Sequence, residues 1–196
     1  MNLKVACHIH PKGITVNSKE ILSIPAIEYD WKKYIYQSLS LEYSKFHKMD
    51  ALAKMAMCGL KVIENEYDLN HFNEEEVALI FANKSSSYFS DNKHFTNYKK
   101  LNTISPSDFV YTLPNILTGE IAIFKKWYGE NVFFIQEEFD LEFFKEQINF
   151  YFYKGAKACL CGWIESKEGK EEAILFFVEK GDENLTLEKF EKQLKA

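Results

Sequence analysis

Apolar residues recur at helical spacing in one long segment, from Met49 to Glu66. Intervals of three and four residues between apolar positions are the pattern of an amphipathic helix with one buried face. The positions that show it are Leu52, Met55, Ala56, Leu60 and Ile63. The next apolar segment, Val77 to Ala82, is continuous, which is typical of a strand covered on both faces of a sheet. The two patterns predict a helix followed by a buried strand.

Shorter signals of the same two kinds run along the rest of the chain. Asp140 is a typical helix N-cap, and Gly129 and Gly155 are placed to end helices. Residues 13–30 show no regular pattern, and residues 31–46 fit either a short helix or a loop. Strands are predicted at 3–9, 132–135, 158–163 and 173–178, and helices at 91–100, 117–128, 140–153 and 186–194. This alternation predicts one α/β domain over residues 1–196 with a mostly parallel sheet.

Composition and charge exclude several classes of protein. Hydrophobic residues make up 46% of the 196 positions, so the chain as a whole is not disordered. All 24 strong cations are lysines, and with 29 acidic residues the formal net charge is −5. We expect no nucleic-acid partner, because phosphate binding needs clustered cations and base reading favours arginine. No apolar run reaches 18 residues and the first residues lack a secretion-signal core, so we expect no membrane span.

The residues that usually carry chemistry form no recognisable site. Four cysteines without a C-x-x-C pair fit a reducing cytoplasm, and we expect a cytoplasmic protein. His8 and His10 share a strand face, but no third ligand follows nearby, so we interpret them as surface histidines. The turn Asn83–Ser87 lacks the glycines of a phosphate loop, and the run 165–172 is interpreted as a solvated hairpin tip. We expect no metal and no cofactor.

An ordered set of short motifs resembles the β-ketoacyl synthases. Lys48-Met49-Asp50 is similar to the R-M-D that opens their first long helix. Residues 105–115 are similar to their S-P-x-x-F…N segment, which continues into a G-x-I-A-I helix from Gly119. Gly129-Glu130-Asn131 resembles the G-P-N turn before their nucleophile strand, and residues 161–165 resemble a G-G-x-E segment. The motifs follow the family's order over most of residues 1–180.

The resemblance implies a thiolase-like half-domain, with a five-stranded, mixed but mostly parallel sheet and helices on both faces. β-Ketoacyl synthases have two such halves, and this chain corresponds to the first. Their nucleophilic cysteine follows the third strand, and counting from Gly129 or from Gly155 places that position on Glu138. A carboxylate is a weak nucleophile toward a thioester, and the family's catalytic histidines belong to the second half. We therefore expect Glu138 at a helix start, no catalytic residue and no ketosynthase activity from this chain alone.

The resemblance also implies an interface. Ketosynthases pair the strand before the nucleophile turn with its twin across a two-fold axis, and here that strand is Val132, Phe133, Phe134 and Ile135. The strand lacks the charges that protect a free edge, although burial within one subunit would also explain its apolarity. Leu113, counted back from Asn115, corresponds to a residue that floors the partner's acyl pocket.

These features favour a catalytically degenerate accessory protein of fatty-acid or polyketide-type biosynthesis, similar to a chain length factor. It would form a homodimer, or a heterodimer with a ketosynthase, and contact an acyl carrier protein. Aryl-polyene or flexirubin-type pigment synthesis is the setting that the resemblance suggests. Two alternatives stay open. One is a small decarboxylase or acyltransferase that uses Glu138 or Gln136, and the other is a lipid-binding module.

Overall fold

The computed structural model describes residues 1–26, 30–102, 105–167 and 170–194. The strands are β1 (Asn2–His10), β2 (Gly13–Val16), β3 (Lys19–Ser23), β4 (Val77–Asn83), β5 (Asn131–Ile135), β6 (Ala158–Lys167) and β7 (Lys170–Glu179). The helices are α1 (Trp31–Ser38), α2 (Ala51–Glu66), α3 (Tyr88–Leu101), α4 (Pro106–Val110), α5 (Ile116–Lys125), α6 (Leu141–Lys154) and α7 (Leu187–Leu194). A 3₁₀ turn, Phe46–Lys48, precedes α2.

All described strands form one sheet of seven, in the order β3-β2-β1-β7-β6-β4-β5. The prediction of α/β architecture with a mixed sheet is confirmed, but the number of five strands is wrong. The prediction of a mostly parallel sheet is also wrong, because only β4–β5 and β4–β6 pair in parallel and the other four pairs are antiparallel. Two of the four antiparallel pairs involve the unpredicted strands β2 and β3, and the long-range pairing of β1 with β7 adds one that a periodic pattern does not reveal.

The two extra strands come from the segment that shows no regular pattern. Residues 13–23 form the hairpin β2–β3, joined by a two-residue turn at Asn17 and Ser18. Both turn residues have positive φ, 45° and 68°, as a type I′ turn requires. Asn17 offsets part of the strain, because its backbone and side chain bond to Ala6 in β1. A turn built without glycine hides this hairpin from sequence reasoning.

Helices cover both faces of the sheet, as predicted. One core lies between the sheet and helices α1, α2 and α5, and a second lies between the sheet and helices α6 and α7. Alternate residues of each central strand point to opposite cores; in β4, for example, Leu79 and Phe81 face the first core while Ala78 and Ile80 face the second. Both faces of the strand are therefore apolar, which explains its continuous hydrophobic sequence.

Two of the predicted helix ends are confirmed and one is wrong. Helix α6 has Asp140 as its N-cap and ends at Gly155, whose φ is +112°. Helix α5 ends at Lys126 in the left-handed region, three residues before the predicted stop at Gly129. Gly129 serves another purpose, because a Cβ atom there would lie 2.6 Å from the carbonyl oxygen of Val77. Its lack of a side chain lets the start of β5 lie close against β4.

Candidate functional site

Strand β5 lies at one end of the sheet. It pairs with β4 over its whole length, from Asn131 beside Leu79 to Ile135 beside Asn83. Within the described ranges no strand pairs with its other side. The backbone groups on that side are therefore available to a further strand. The predicted interface has the geometry of an open edge, and its use as an interface stays a prediction.

The side chains of β5 are shared between the core and the surface. Phe134 packs edge-on against Phe143 of α6, with ring centroids 5.0 Å apart, and Phe133 packs against the first core. Val132 is half-buried beside the second core, whereas Ile135 is 55% exposed. Burial within the domain therefore explains part of the strand's apolarity, while Ile135 and the open edge face outward.

The loop after β5 contains the position that aligns with the ketosynthase nucleophile. Gln136 extends the strand by donating its backbone N–H to the carbonyl of Asn83 at 2.9 Å. Glu137 forms an ion pair with Lys84 at 2.6 Å, and Glu138 beside it is exposed. Helix α6 begins only at Leu141, so the prediction that Glu138 opens the helix is wrong; Asp140 is the capping carboxylate. Glu138 lies in an open loop, three residues before the helix.

A buried carboxylate organises the neighbouring loop, residues 83–87. Glu165, at the end of β6, accepts hydrogen bonds from the backbone N–H groups of Lys84 and Ser85, at 3.1 and 3.3 Å. Asn83 closes the loop by bonding to both the N–H and the carbonyl of Ser86. The loop is solvated only in part, because Lys84 is exposed while Asn83 and Ser87 are buried. The interpretation of the run 165–172 as a solvated hairpin tip is wrong for Glu165, which is buried; residues 168 and 169 of this run lie outside the described residues.

No thiol lies in either loop. The four cysteines are fully buried inside β1, α2 and β6. Burial raises the pKa of the Cys7 and Cys58 thiols to about 12, and it raises the pKa of Cys159 and Cys161 as well. Since the thiolate is the nucleophilic form, none of the four is an activated nucleophile. Cys159 and Cys161 thus act as small apolar residues inside β6.

Leu113 lies on a loop that is tied to a buried polar cluster, which sequence reasoning missed. Glu120, buried on α5, accepts hydrogen bonds from the hydroxyls of Tyr43 and Tyr111, at 2.7 and 3.4 Å. Desolvation and the Glu120 carboxylate raise the pKa of Tyr111 to about 12. Ser87 also donates to the carbonyl of Thr112. Leu113 itself is 50% exposed on this anchored loop, and its role at an interface stays a prediction.

An open groove of about 670 Å³ lies at the opposite end of β5, where the parallel strands begin. Its charged lining residues are Glu75, Glu76, Glu130, Lys154 and Lys157. Glu76 and Lys157 form an ion pair across it. Carboxylates thus outnumber lysines in the groove, and none of these residues belongs to the loop that carries Glu138.

The histidine pair forms no recognisable metal site. The rings of His8 and His10 lie 5.0 Å apart on one face of β1, and His8 lies 3.4 Å from Glu172. Among the residues that the structure describes, no three potential ligands are grouped to hold a metal ion. In the same ranges, no helix is both long and apolar enough to cross a membrane.

Solved structures match this architecture. A ketosynthase (ApeO) in complex with its chain length factor (ApeC) from Xenorhabdus doucetiae aligns with a TM-score of 0.59 over 92% of this chain. The ishigamide ketosynthase/chain length factor aligns with a TM-score of 0.67 over 91%. The type II polyketide synthase complex AntDE:AntF, a ketosynthase with its acyl-carrier protein, aligns with a TM-score of 0.63 over 91%. The chain has a ketosynthase-like fold.

The likeness lies in the fold and hardly in the sequence. Identities to the three structures are 13%, 14% and 12%. The chain spans 80% of the first matched chain and 62% of each of the other two. The sequence matches no family model and no curated protein. The ketosynthase-like, thiolase-like fold predicted from the short motifs is confirmed, while identities this low leave activity and partners to be proposed.

Proposed function

We propose that this chain is a catalytically degenerate, ketosynthase-like accessory subunit, similar to a chain length factor. It pairs through the open edge of β5 with an active ketosynthase of fatty-acid or polyketide-type biosynthesis. The observation that carries the proposal is the combination of this fold with an exposed glutamate, Glu138, instead of a cysteine in the loop after β5. Aryl-polyene or flexirubin-type pigment synthesis is the setting we propose.

The chemistry around Glu138 supports the absence of acyl transfer. An acyl-enzyme intermediate needs a polarisable nucleophile that is activated at a helix N-terminus or by a base. Glu138 is a carboxylate in an exposed loop, and the backbone N–H groups of Lys84 and Ser85 are already bonded to Glu165. These two donors are therefore not free to stabilise an oxyanion. The buried thiols elsewhere in the chain are too well shielded to replace the missing nucleophile.

The open edge supports a partner subunit. A free strand that carries no charge offers both unpaired backbone groups and apolar surface to a second sheet. Phe133 and Phe134 hold β5 firmly against its own domain, so the edge is ordered before a partner arrives. Preorganisation of this kind reduces the entropy lost on association.

The matched structures indicate which partner to test. Two of them contain a ketosynthase together with a chain length factor, and the third contains a ketosynthase with an acyl-carrier protein. We propose a ketosynthase as the partner subunit and an acyl carrier protein as a further contact. In such a pair, Leu113 on its anchored loop would reach the partner's acyl pocket.

The test is co-expression of the chain with ketosynthases of its own organism, followed by co-purification. Ile135→Asp places a charge in the proposed interface at a position that the monomer leaves 55% exposed. Because an unpaired charge buried at an interface costs several kcal/mol, we expect the affinity to fall by more than about 100-fold.

Ile21→Asp is the matched control, since Ile21 is 42% exposed on the edge strand at the other end of the sheet. It should leave the affinity unchanged. Equal loss in both variants, or no ketosynthase bound by the wild-type chain, would contradict the proposal. Turnover of an acyl thioester that Glu138→Gln abolishes would instead establish an enzyme.

A further inference from the structure

The residues around β5 are strongly acidic. The segment 130–146 contains six carboxylates and a single lysine, a net charge of −5 that equals the formal charge of the whole chain. The rest of the chain is therefore neutral in sum. The carboxylates are Glu130, Glu137, Glu138, Asp140, Glu142 and Glu146. They flank an edge strand, Asn131–Ile135, that has no charge of its own.

Both ends of the strand are negative after the local ion pairs are counted. At the start of β5, Glu75 and Glu130 remain beside Lys154 once Glu76 and Lys157 have paired. At its end, Glu138 and Asp140 remain once Glu137 has paired with Lys84. The first half of α6 adds Glu146, because Lys145 is bonded to Glu142. Neither end of β5 therefore has more lysines than carboxylates.

A second copy of this chain fits such an edge badly. Antiparallel addition would bring Glu130 of one copy beside Glu137 and Glu138 of the other, at both ends of the shared strands. Parallel addition would bring Glu130 beside Glu130. Like charges placed opposite each other across a strand pair are destabilising, and such repulsion is a common means of rejecting wrong partners.

We infer that the β5 edge selects an unlike partner, a second strand flanked at both ends by lysine or arginine, and rejects a second copy of this chain. The inference rests on the proposed function only in taking β5 as the interface. It resolves that interface into a heterodimer, in which basic side chains of the partner face Glu130 and the Glu137–Glu138 pair. Apolar contacts at Ile135 then supply area, and the flanking charges supply specificity.

The deciding experiment reverses one end of the edge. In Glu130→Lys, antiparallel pairing of two copies brings lysine beside Glu137 and Glu138 at both ends, so repulsion becomes attraction. We expect the wild type to sediment as a monomer of 23.0 kDa at micromolar concentration, and Glu130→Lys to sediment at twice that mass. The side chain of Glu130 is exposed, so the fold should tolerate the change.

Three controls make the result specific. Glu20→Lys, the same charge change on the exposed edge strand β3, should stay monomeric. Adding Ile135→Asp to Glu130→Lys should restore the monomer. Raising the salt concentration to 1 M should weaken the Glu130→Lys dimer, because the screening length then falls to about 3 Å. The same Glu130→Lys change should weaken the affinity of the chain for a ketosynthase roughly tenfold, because the new lysine would face the basic side chains proposed for the partner.

Each contrary outcome points to a different failure. A wild-type dimer that Ile135→Asp dissociates would overturn the inference while leaving β5 as the interface. A Glu130→Lys protein that stays monomeric would also overturn it, because charge would then not be what prevents self-pairing. Failure of the proposed function shows separately, as the absence of any ketosynthase bound to the wild-type chain.

Discussion

The two edges of the sheet are built on different principles. Strand β3 carries Lys19 and Glu20 within the strand itself, and most of its residues are exposed. Strand β5 has no charge within the strand, and its carboxylates stand beyond both ends. Charge inside an edge strand blocks the addition of any further strand, whereas charge at its ends permits addition and restricts the partner. The edge at β3 is therefore built against further strands, whereas the edge at β5 leaves room for one.

A glycine allows close packing beside each edge strand, and replacing it should produce the largest effect on stability. A Cβ atom at Gly13 would lie 2.4 Å from the carbonyl oxygen of Leu22 in β3, and one at Gly129 would lie 2.6 Å from that of Val77 in β4. We expect Gly13→Ala and Gly129→Ala each to lower the free energy of unfolding by about 1–3 kcal/mol, because backbone must move. Urea denaturation measures this.

The same two variants should differ in binding. Only Gly129→Ala displaces the start of β5, so only it should weaken co-purification with a ketosynthase. If both variants bind the partner equally well, the position of β5 has no bearing on association and the comparison of the edges fails.

A smaller effect separates the core residues of β5 from its outward residues. Phe134 packs on Phe143, so Phe134→Ala should lower the free energy of unfolding by about 1–2 kcal/mol, less than a fully buried phenylalanine would. Ile135 is exposed, so Ile135→Ala should change the free energy of unfolding by less than about 0.5 kcal/mol. Thermal and urea unfolding of the isolated chain distinguish the two. A larger loss of stability in Ile135→Ala than in Phe134→Ala would mean that the Ile135 side chain packs in the core.

The smallest effect concerns acid pH at the start of β5. A hydrogen bond from Lys157, with help from Asn73, lowers the pKa of the Glu76 carboxyl from 4.5 to about 2. Because the folded pKa lies below the unfolded one, this group contributes stability above about pH 4.5 that is lost as the pH falls toward 2. Glu76→Gln should flatten that part of the stability profile, and the matched Glu75→Gln should not. An unchanged profile in Glu76→Gln would contradict the assignment.

Local patterns predicted the elements whose faces are strongly apolar. Helix α2, strand β4 and helix α6 follow from periodicity and capping residues, because burial on a defined face leaves a regular trace in the sequence. The hairpin β2–β3 leaves none, since Asn17 and Ser18 adopt positive φ without a glycine. The direction of β1 beside β7 was missed for another reason. Antiparallel pairing of β1 with β7 depends on contacts between distant segments, which no local window contains.

The candidate site was predicted in part. The order of the motifs located β5 and the loop that contains Glu138. Counting residues from Gly129 and Gly155, however, placed Glu138 at the start of a helix, a position that Asp140 in fact occupies. The buried carboxylates Glu120 and Glu165 were missed because charge in a sequence is ordinarily taken as surface. Their hydrogen-bond donors, two tyrosine hydroxyls for Glu120 and three backbone N–H groups for Glu165, make burial tolerable. Three of these donors, from Tyr43, Lys84 and Ser85, come from remote parts of the chain.

The pairing of β1 with β7 has a consequence for how the protein is made. The two strands are separated by 159 residues of chain, yet they lie side by side near the middle of the sheet. At a ribosomal rate of about 5–20 residues per second, β1 waits roughly 10–30 s for its neighbour. Throughout that interval β2 can pair with one edge of β1, but the other edge of this apolar strand stays open. Synthesis of this protein should therefore depend on chaperones that hold the nascent chain until β7 has emerged.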